Sequence, residues 1–407
     1  MFSVDNFYDF FKSHYGWEKA RISPWIFRTH GSKNLFDVHT LVESRLHHEL
    51  PNMEFSLNNA LVLHDQEPFA VDNSLYIYRH SFLENKKDPL FLHISDQELF
   101  LQRWRSCSWP IFCHSEKNSS DIAWIEKIGC IPCYYFWHAL IARDWFRHWK
   151  HRGDMHNKTS WKQRFLLYIR DCSGTRTYRS EVKNMLCNIK EQVDTDWDNT
   201  RNITADFSAK ISVEDAQNTA IHLVAETVFS ASKIHVTEKT FKPMVMKQPF
   251  IVFSGPGTLQ YLKNYGFRTF DCVWDESYDL EQDHDTRLIK IINIIEDLSR
   301  KSDKDFREII HKCWDIVNYN HKHFFSEVFE NMLLDELHTN MQASIKEQQH
   351  KTNIDPGGSF FYSYNSMLER KISIPFDIEQ NIKYIIDAMK SRYPERYQLV
   401  KQKYPWC

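Results

Sequence analysis

Three consecutive residues in the second half of the chain combine groups that bind phosphate and hydroxyls. Thr237, Glu238 and Lys239 follow the β-compatible run KIHV, and Thr237 is a good N-cap, so a helix is predicted with Glu238 and Lys239 in its first turn. Free N–H groups at a helix start bind anions, and an adjacent lysine adds a full charge for phosphate. A carboxylate accepts hydrogen bonds from vicinal hydroxyls, such as those of a ribose. The simpler explanation is that Glu238 only complements the helix dipole while Lys239 is solvated.

Two further runs in this half predict groups that would extend an anion site. The run LLYIRDCSGTRTYR leads from an apolar segment into a Ser-Gly turn with arginines, whose forked side chains suit diphosphate oxygens. The run QPFIVFSGPG ends in glycines that permit close backbone approach, although such a turn often merely ends a strand. Arginines such as Arg179 are also common as surface residues paired with a carboxylate or water. The residues that these runs add are Arg170, Ser173, Gly174, Arg176, Gly255 and Gly257.

Histidines and carboxylates follow three apolar runs in the first half of the chain. These runs are ALVLHDQEPF, FCHSEKNS and CIPCYYFWH. A carboxylate near a hydroxyl can remove its proton if burial raises the carboxyl pKa, and Asp65 and Glu67 are the preferred residues for this role. The other acceptor-side candidates at these strand ends are His64, His114, Glu116 and His138. Each histidine taken singly is more simply explained as a satisfied core or loop residue, but three such strand ends together favour a site.

The elements that must position these groups alternate along the chain. Short apolar runs alternate with helical patterns in both halves, which predicts an α/β fold with parallel sheets flanked by helices. At 407 residues the chain exceeds the usual size of one core, so two lobes with a cleft between them are expected. The predicted units are an acceptor-side lobe at 1–150, a second lobe at 151–345 and a helical C-terminal extension at 346–407.

Charge and composition restrict the partners. The formal net charge of -3 excludes a field over the whole molecule that would draw it to nucleic acid, so any basic surface must be local. Residues 142–165, the predicted junction between the lobes, interleave basic residues with tryptophans, a pattern that can follow phosphates and stack bases. An amphipathic linker helix with a solvated face explains the pattern equally well. The nucleic-acid candidates in and near this segment are Arg143, Arg147, Lys150 and Arg152.

Cysteine usage and hydropathy indicate a reducing compartment. The nine cysteines are odd in number and dispersed, which argues against a disulfide framework. Cys107, Cys113, Cys130 and Cys133 could form a zinc site, but a buried strand at CIPCYYFW is favoured. No signal peptide or apolar membrane span is recognisable, so we expect a cytoplasmic protein without membrane contact. The acidic run DTDWD is interpreted as a loop, and no metal or other cofactor is expected.

The motifs resemble a known enzyme group. The run VTEKTFKPMVMKQPFIVFSGPGTLQYL is similar to the donor-binding region of glycosyltransferases with the two-lobed GT-B fold, in the exostosin and fucosyltransferase-like group. The runs HDQEP, HSEKNS, WHALIARDW and IRDCSGTRTYR resemble proteins encoded by tailed bacteriophages. The likeness to the glycosyltransferases covers residues 165–275. It implies two Rossmann-like lobes that bind a nucleoside-diphosphate sugar as co-substrate.

The resemblance also implies roles and partners. Glu238 would contact the ribose, Lys239 the phosphates, and Arg170 or Arg176 the diphosphate, while the base would come from the first lobe across the cleft. The acceptor implied by the phage likeness is a hydroxymethylated pyrimidine in double-stranded DNA, modified in the host cytoplasm by a base-flipping enzyme. Two alternatives remain: a glycosyltransferase acting on a surface glycan or small molecule, and a non-enzymatic nucleotide- or DNA-binding protein.

Overall fold

The computed structural model describes the second half of the chain almost completely and the first half in part. The described residues are 21–22, 61–65, 109, 111–119, 122, 131–150, 160–197, 211–369, 371, 374 and 376–407. For residues 21–22, 61–65 and 111–113 only the backbone is described. Glu67 and Arg152 therefore lie outside the described residues, as do the side chains of His64 and Asp65.

The first half contributes a four-stranded parallel sheet in which neighbours in sequence are neighbours in space. Its strands are β1 (Arg21–Ile22), β2 (Leu61–Asp65), β3 (Ile111–His114) and β4 (Ile131–Tyr134). In the register, Asp65 lies opposite His114, and His114 lies opposite Tyr134. The ends of β2, β3 and β4 therefore form one carboxyl edge, as expected for side chains grouped after these strands.

The second half contributes another four-stranded parallel sheet, in the order β6-β5-β7-β8. Its strands are β5 (Gln163–Leu167), β6 (Val193–Asp194), β7 (Thr219–Ala225) and β8 (Phe250–Phe253). Every residue of β7 and β8 is buried, as expected of continuous apolar runs covered on both faces. The chain order reverses between β5 and β7, and the carboxyl side of such a reversal is where open α/β sheets form a crevice.

Helices make up most of the remaining described structure. In chain order they are α1 (Trp137–Trp145), α2 (Tyr178–Met185), α3 (Val213–Asn218), α4 (Glu238–Met246), α5 (Thr258–Asn264), α6 (His284–Arg300), α7 (Asp303–Lys312), α8 (Trp314–Phe324), α9 (Glu327–Ile354), α10 (Gly358–Glu369), α11 (Phe376–Arg392) and α12 (Pro394–Lys403). Side-chain N-caps begin several of them: Asp283 caps α6, Ser302 caps α7 and Ser326 caps α9. The mixed α/β fold with parallel sheets and a helical C-terminal part is confirmed.

The long helix α9 connects the two halves. It follows the second sheet in sequence but packs on the first: Asn340 Nδ2 donates to the carbonyl of Tyr134 at 2.8 Å, and Ser344 Oγ donates to that of Pro132 at 3.0 Å. The predicted boundary at residue 346 falls inside this continuous helix. Among the described helices, none combines the length and apolar character needed to cross a membrane.

Candidate functional site

The two halves contact each other through backbone hydrogen bonds and a buried ion pair. The N–H of Lys117, just after β3, donates to the carbonyl of Ile234 at 3.0 Å, and the N–H of Ile234 donates back at 2.9 Å. Beside this bridge, Lys233 Nζ lies 3.0 Å from Glu116 Oε1, with both side chains at least 95% buried. A buried pair whose partner is removed leaves an uncompensated charge, so this contact fixes the segment before Thr237 against the first half.

The predicted helix after Thr237 is present, but the chain's own carboxylate occupies its start. Glu226 is fully buried directly after β7. It accepts hydrogen bonds from the N–H of Thr237 at 3.0 Å, from the Thr237 hydroxyl at 2.6 Å and from the Thr240 hydroxyl at 2.6 Å. Glu226 therefore fixes the N-cap residue, and within the first turn Thr237 Oγ1 accepts the N–H of Lys239 at 3.4 Å, so one of the amide groups predicted for a phosphate already has a partner within the chain.

Glu238 and Lys239 lie at the junction between the halves and not in bulk solvent. The Glu238 side chain is 8% exposed, and its Oε1 lies 3.3 Å from Lys239 Nζ. The Lys239 ammonium also donates to Thr237 Oγ1 at 3.0 Å and to Thr227 Oγ1 at 3.3 Å, yet its side chain stays 32% exposed. Lys239 can therefore reach an anion in solvent, whereas Glu238 is largely enclosed.

Cationic neighbours keep Glu238 ionised. Burial acts to raise the pKa of its carboxyl, but Lys239, His138 and Lys242 outweigh this effect and hold the pKa at about 2. Lys242 lies one turn further along α4, where the spacing from Glu238 favours an ion pair. Burial lowers the pKa of the Lys242 ammonium to about 7, although Glu238 opposes the change. Sequence reasoning missed Lys242, for which the four-residue spacing from Glu238 was the available signal.

Two histidines from opposite halves meet beside Glu238. His138 lies in the first turn of α1, and His235 lies two residues before the N-cap of α4; their ring centroids are 4.9 Å apart and nearly perpendicular. Burial lowers the pKa of His235 well below its usual value, and the charges of His138, Lys239, Lys233 and Arg176 act in the same direction. His235 therefore stays neutral at ordinary pH, and the positive groups of both halves converge around it.

The loop after β5 is organised by Asp171. Its carboxylate accepts from the Ser173 N–H at 2.9 Å, from the Ser173 hydroxyl at 2.8 Å and from Arg176 Nη1 at 3.1 Å. Gly174 has a φ of +56°, and a Cβ there would contact nothing within 4 Å, so this turn is open on its outer side. Arg176 and Ser173 therefore serve to close their own loop through Asp171, while Arg170 lies exposed in the same loop.

Arg179 fills the crevice at which the strand order reverses. Its guanidinium donates to the carbonyl of Asp171 at 2.9 Å and to those of Ala225 and Glu226 at 2.8 and 2.9 Å. It therefore ties the loop after β5 to the end of β7. The alternative of a solvated surface arginine does not hold, because this side chain is buried. Its position as the second residue of α2 carries no local sequence signal for such a contact.

The glycines after β8 are explained by contacts within the chain. A Cβ on Gly255 would lie 2.6 Å from the Ser230 carbonyl oxygen and 2.8 Å from that of Lys233. Gly257, with a φ of +80°, donates its N–H to the Asp279 carbonyl at 2.7 Å. The Asp279 carboxylate then accepts from the N–H groups of Leu259 and Gln260, so α5 also begins on a carboxylate of the chain. Neither glycine is needed for a ligand to approach.

The candidates at the end of β3 are enclosed. His114 is buried edge-on against Tyr134, and burial lowers its pKa to about 3. Glu116 is the buried partner of Lys233. Neither is placed as an exposed acid or base, which corrects the expectation for these two residues. His138 is the remaining acceptor-side candidate with a described side chain.

Part of the basic segment at residues 142–165 is buried inside the fold. Arg143 is buried: one guanidinium nitrogen donates to the carbonyl of Phe324, and the other lies 2.6 Å from Glu330 Oε2. It therefore offers no charge to a nucleic acid, which corrects that expectation. Arg147 is partly exposed and Lys150 is exposed.

The zinc alternative gains no support within the described part of the chain. Of the four cysteines weighed for it, Cys133 is the one whose side chain is described, and it is buried and free. The cluster of possible metal ligands found among the described residues is instead Glu181, His284 and Asp285, in which both carboxylates are exposed. Exposed acidic groups of this kind are common without a metal ion.

The site is thus a cationic junction formed by both halves around one enclosed carboxylate. Its exposed side is provided by Lys239 and by the loop after β5, while Glu226 and Arg179 hold the strand ends behind it. Comparison with models of known protein families, with curated proteins and with solved structures finds no match for this chain.

Proposed function

We propose that this protein transfers a sugar from a nucleoside-diphosphate sugar, with UDP as the expected nucleotide, to a hydroxyl acceptor. The observation that carries the proposal is the meeting of the two halves at the start of α4, where the partly exposed Lys239 lies 3.3 Å from Glu238 and His138 of the first half contacts His235 just before the helix. Crevices outside the carboxyl ends of parallel strands are where α/β proteins bind nucleotides. Two sheets joined in this way also support the proposed GT-B arrangement of two lobes.

The diphosphate would lie against side chains and not against free amide groups. Lys239 keeps an exposed face at the start of α4, and the charge of Arg176, in the loop after β5, reaches His235, two residues before the N-cap of that helix. Fixed cations at this place would stabilise the charge that develops on a leaving diphosphate. Arg170, which is exposed at the end of the same loop, would extend the contact.

Glu238 serves the site differently from what the resemblance implies. With 8% of its side chain exposed and its oxygen at 3.3 Å from Lys239, it is better placed to orient the cations than to accept hydrogen bonds from both ribose hydroxyls. Its pKa of about 2 means that it remains a carboxylate at neutral pH. We therefore assign Glu238 to holding Lys239 and His138 in position.

The reaction exchanges one bond at the anomeric carbon for another. The acceptor oxygen bonds to that carbon, the bond to the diphosphate oxygen breaks, and the electron pair leaves on the diphosphate. The acceptor proton passes to a general base, for which we propose Asp65 or Glu67. The backbone register supports this choice, because Asp65 ends β2 directly beside the end of β3.

The acceptor class follows from the charges that remain exposed. A hydroxymethylated pyrimidine in DNA is our first proposal, with Arg147 and Lys150 as phosphate contacts. The burial of Arg143 against Glu330 reduces this basic surface and favours the second proposal, a surface glycan or small molecule. Arg152, outside the described residues, belongs to the DNA proposal. The third possibility, a nucleotide- or DNA-binding protein without catalysis, needs the cations but no base.

The test is incubation of the purified chain with UDP- and GDP-sugars, followed by detection of released nucleotide. Slow hydrolysis marks the enzyme, and stimulation by hydroxymethylated DNA over unmodified DNA marks the acceptor. Lys239→Ala should weaken UDP binding about tenfold or more, since a hydrogen bond to a charged group is lost. Lys263→Ala is the matched control, because Lys263 is similarly exposed and pairs with Asp271 at 2.8 Å. Equal UDP affinity of both variants would refute the assigned site.

A further inference from the structure

A pocket opens at the amino ends of the strands of the second sheet. Its lining includes Thr219 at the start of β7, Pro249 just before β8 and Met246 at the end of α4, and Ile310 of α7 and Val317 of α8 also line it. The empty space, with its open mouth, is about 430 Å³, which admits one planar ring but not a folded macromolecule. The groups assigned to the sugar donor follow the carboxyl ends of the strands, so this pocket is a separate place in the fold.

Two tryptophans that line this pocket remain partly exposed. Trp161 comes from the basic segment at residues 142–165, and Trp314 begins α8. The ring of Trp161 packs edge-on against Phe306 with centroids 5.8 Å apart, and the ring of Trp314 lies 5.8 Å from that of His311. Each indole is therefore held by a neighbouring ring while part of its surface stays accessible. Aromatic rings presented in this way are platforms on which nucleic-acid bases stack.

Gln248 adds a hydrogen-bond acceptor to the pocket lining. Its side chain is buried, and its Nε2 donates to the carbonyls of Ala216 and Thr219, both at 3.1 Å, and to the Thr219 hydroxyl at 3.2 Å. These three acceptors fix the amide nitrogen, so the amide oxygen is turned away from them. That oxygen has no hydrogen-bond partner within the described part of the chain. A buried oxygen without a donor is costly, and the N–H edge of a bound base would supply one.

Lys247 places a positive charge in the lining of the same pocket. The residue is partly exposed, and its φ of +53° is the left-handed conformation in which glycine commonly ends a helix. Lys162, next to Trp161 in the sequence, is exposed and also basic, while the exposed Asp315 after Trp314 opposes them. A neutral sugar would use the indoles but not the ammonium group. Stacking and charge together match a flat base that is linked to a phosphate.

We propose that this pocket binds one unpaired base of a single-stranded nucleic acid. The base stacks on Trp161 and Trp314, one of its N–H groups donates to Gln248 Oε1, and the adjoining phosphate contacts Lys247. A single strand is the fitting partner because its bases are free, whereas a duplex must first be unstacked and unpaired. The inference goes beyond the proposed function, since a strand can bind here whether or not the protein transfers a sugar.

The experiment is fluorescence anisotropy with a labelled single strand of about ten nucleotides at low salt. Lys247→Gly should weaken binding about tenfold, because a charged contact to phosphate is lost, and it should fold normally because glycine suits the left-handed backbone. Lys371→Gly is the matched control: Lys371 is an exposed lysine with a φ of +55° that does not line the pocket. An abasic strand of equal length, and the same sequence as a duplex, should each bind the unaltered chain about tenfold more weakly.

The outcomes that would overturn the inference are distinct from those for the donor site. Equal affinity of Lys247→Gly and Lys371→Gly for the strand would overturn it, as would equal affinity of the unaltered chain for the abasic and the base-bearing strands. Failure of the strand to bind at all would overturn it and leave the donor site to the UDP titration. A second measurement needs no variant: ultraviolet cross-linking of the strand to the unaltered chain should label the peptides that contain Trp161 or Trp314. Labelling confined to other peptides would refute the assigned pocket.

Discussion

The starts of α4 and α5 leave similar backbone groups to be satisfied, and each is satisfied by a buried carboxylate of the chain, yet their surroundings differ. Glu226 satisfies Thr237 and Thr240 at the start of α4, and Asp279 satisfies the N–H groups at the start of α5. Beside the start of α4, the charges of Lys239, His138 and Lys242 act on Glu238. At the start of α5, the Asp279 carboxylate is bound instead by the backbone N–H groups of Leu259 and Gln260. The backbone at the two helix starts therefore does not distinguish them, and the proposed phosphate site depends on the side-chain charges beside α4.

The largest expected effect comes from removing the internal caps. Glu226→Ala leaves an N–H and two hydroxyls without their acceptor in a fully buried place, which should lower the free energy of unfolding by about 4 kcal/mol. Asp279→Ala removes a cap from a shorter helix and should cost about 2 kcal/mol. Urea denaturation measures both. Equal losses would contradict the expectation that the carboxylate at the start of α4 contributes more to the free energy of unfolding than the one at the start of α5.

The two carboxyl groups at these helix starts should also respond to acid in opposite directions. The folded pKa of Glu238 is depressed to about 2, so its contribution is present above the unfolded value and is lost as pH falls from about 4.5 towards 2, a change of up to about 3 kcal/mol. Burial raises the pKa of Asp279, so its protonated form is favoured on folding and its ionisation costs stability as pH rises. Unfolding measured against pH should show a flatter acid limb for Glu238→Gln and a steeper one for Asp279→Asn.

The two glycine turns extend the comparison to the loops. Gly255→Ala should lower the free energy of unfolding by about 2 kcal/mol, because its Cβ meets two backbone carbonyls that cannot rotate away. Gly174→Ala should cost only about 1 kcal/mol, from its left-handed backbone, since its Cβ meets nothing. Thermal unfolding of the pair provides the measurement. A larger loss at Gly174 would contradict the open turn.

The smallest expected effect on stability is at the lysine assigned to the ligand. Lys263→Ala should change the free energy of unfolding by about 0.5 kcal/mol or less, because its pair with Asp271 is exposed, whereas Lys239→Ala should cost up to about 1 kcal/mol, because Lys239 also lies 3.3 Å from the enclosed carboxylate of Glu238. Only Lys239→Ala should weaken UDP binding. Chemical denaturation with and without UDP reads both quantities in one experiment. A large loss of stability in Lys239→Ala would assign this lysine to the fold and not to a ligand.

Local patterns predicted the elements but not the partners of their polar groups. The N-cap at Thr237 and the apolar runs of β5 and β8 were recognisable, because caps and continuous buried strands depend on adjacent residues. The strand β7, Thr219–Ala225, was not among the predicted strands, and the strand predicted at KIHV forms only a single bridge pair, at Ile234. The acceptor for Thr237 was not recognisable, since Glu226 lies eleven residues earlier across a loop. Glu226 had one weak signal, a carboxylate directly after a seven-residue buried strand.

The same limit applies to the contacts between the halves. The sequence places Arg143 in a basic surface, whereas in the structure its guanidinium pairs with Glu330, 187 residues away. The sequence places His235 in a strand, and the fold brings the ring of His138, from the first half, against it. Such pairings depend on the packing of distant elements, for which a single sequence carries no spacing rule. The histidine candidate at 138 was therefore foreseen as a residue, while its neighbours were not.

The route of α9 has a consequence for how the chain folds during synthesis. The carbonyls of Pro132 and Tyr134 receive their side-chain donors from Ser344 and Asn340, more than 200 residues later. The first sheet therefore emerges from the ribosome well before the helix that covers it. Until Glu327–Ile354 has been synthesised, the apolar surface that this helix covers is exposed to aggregation or to chaperones. The first half of the chain therefore cannot finish folding before the second half has been made.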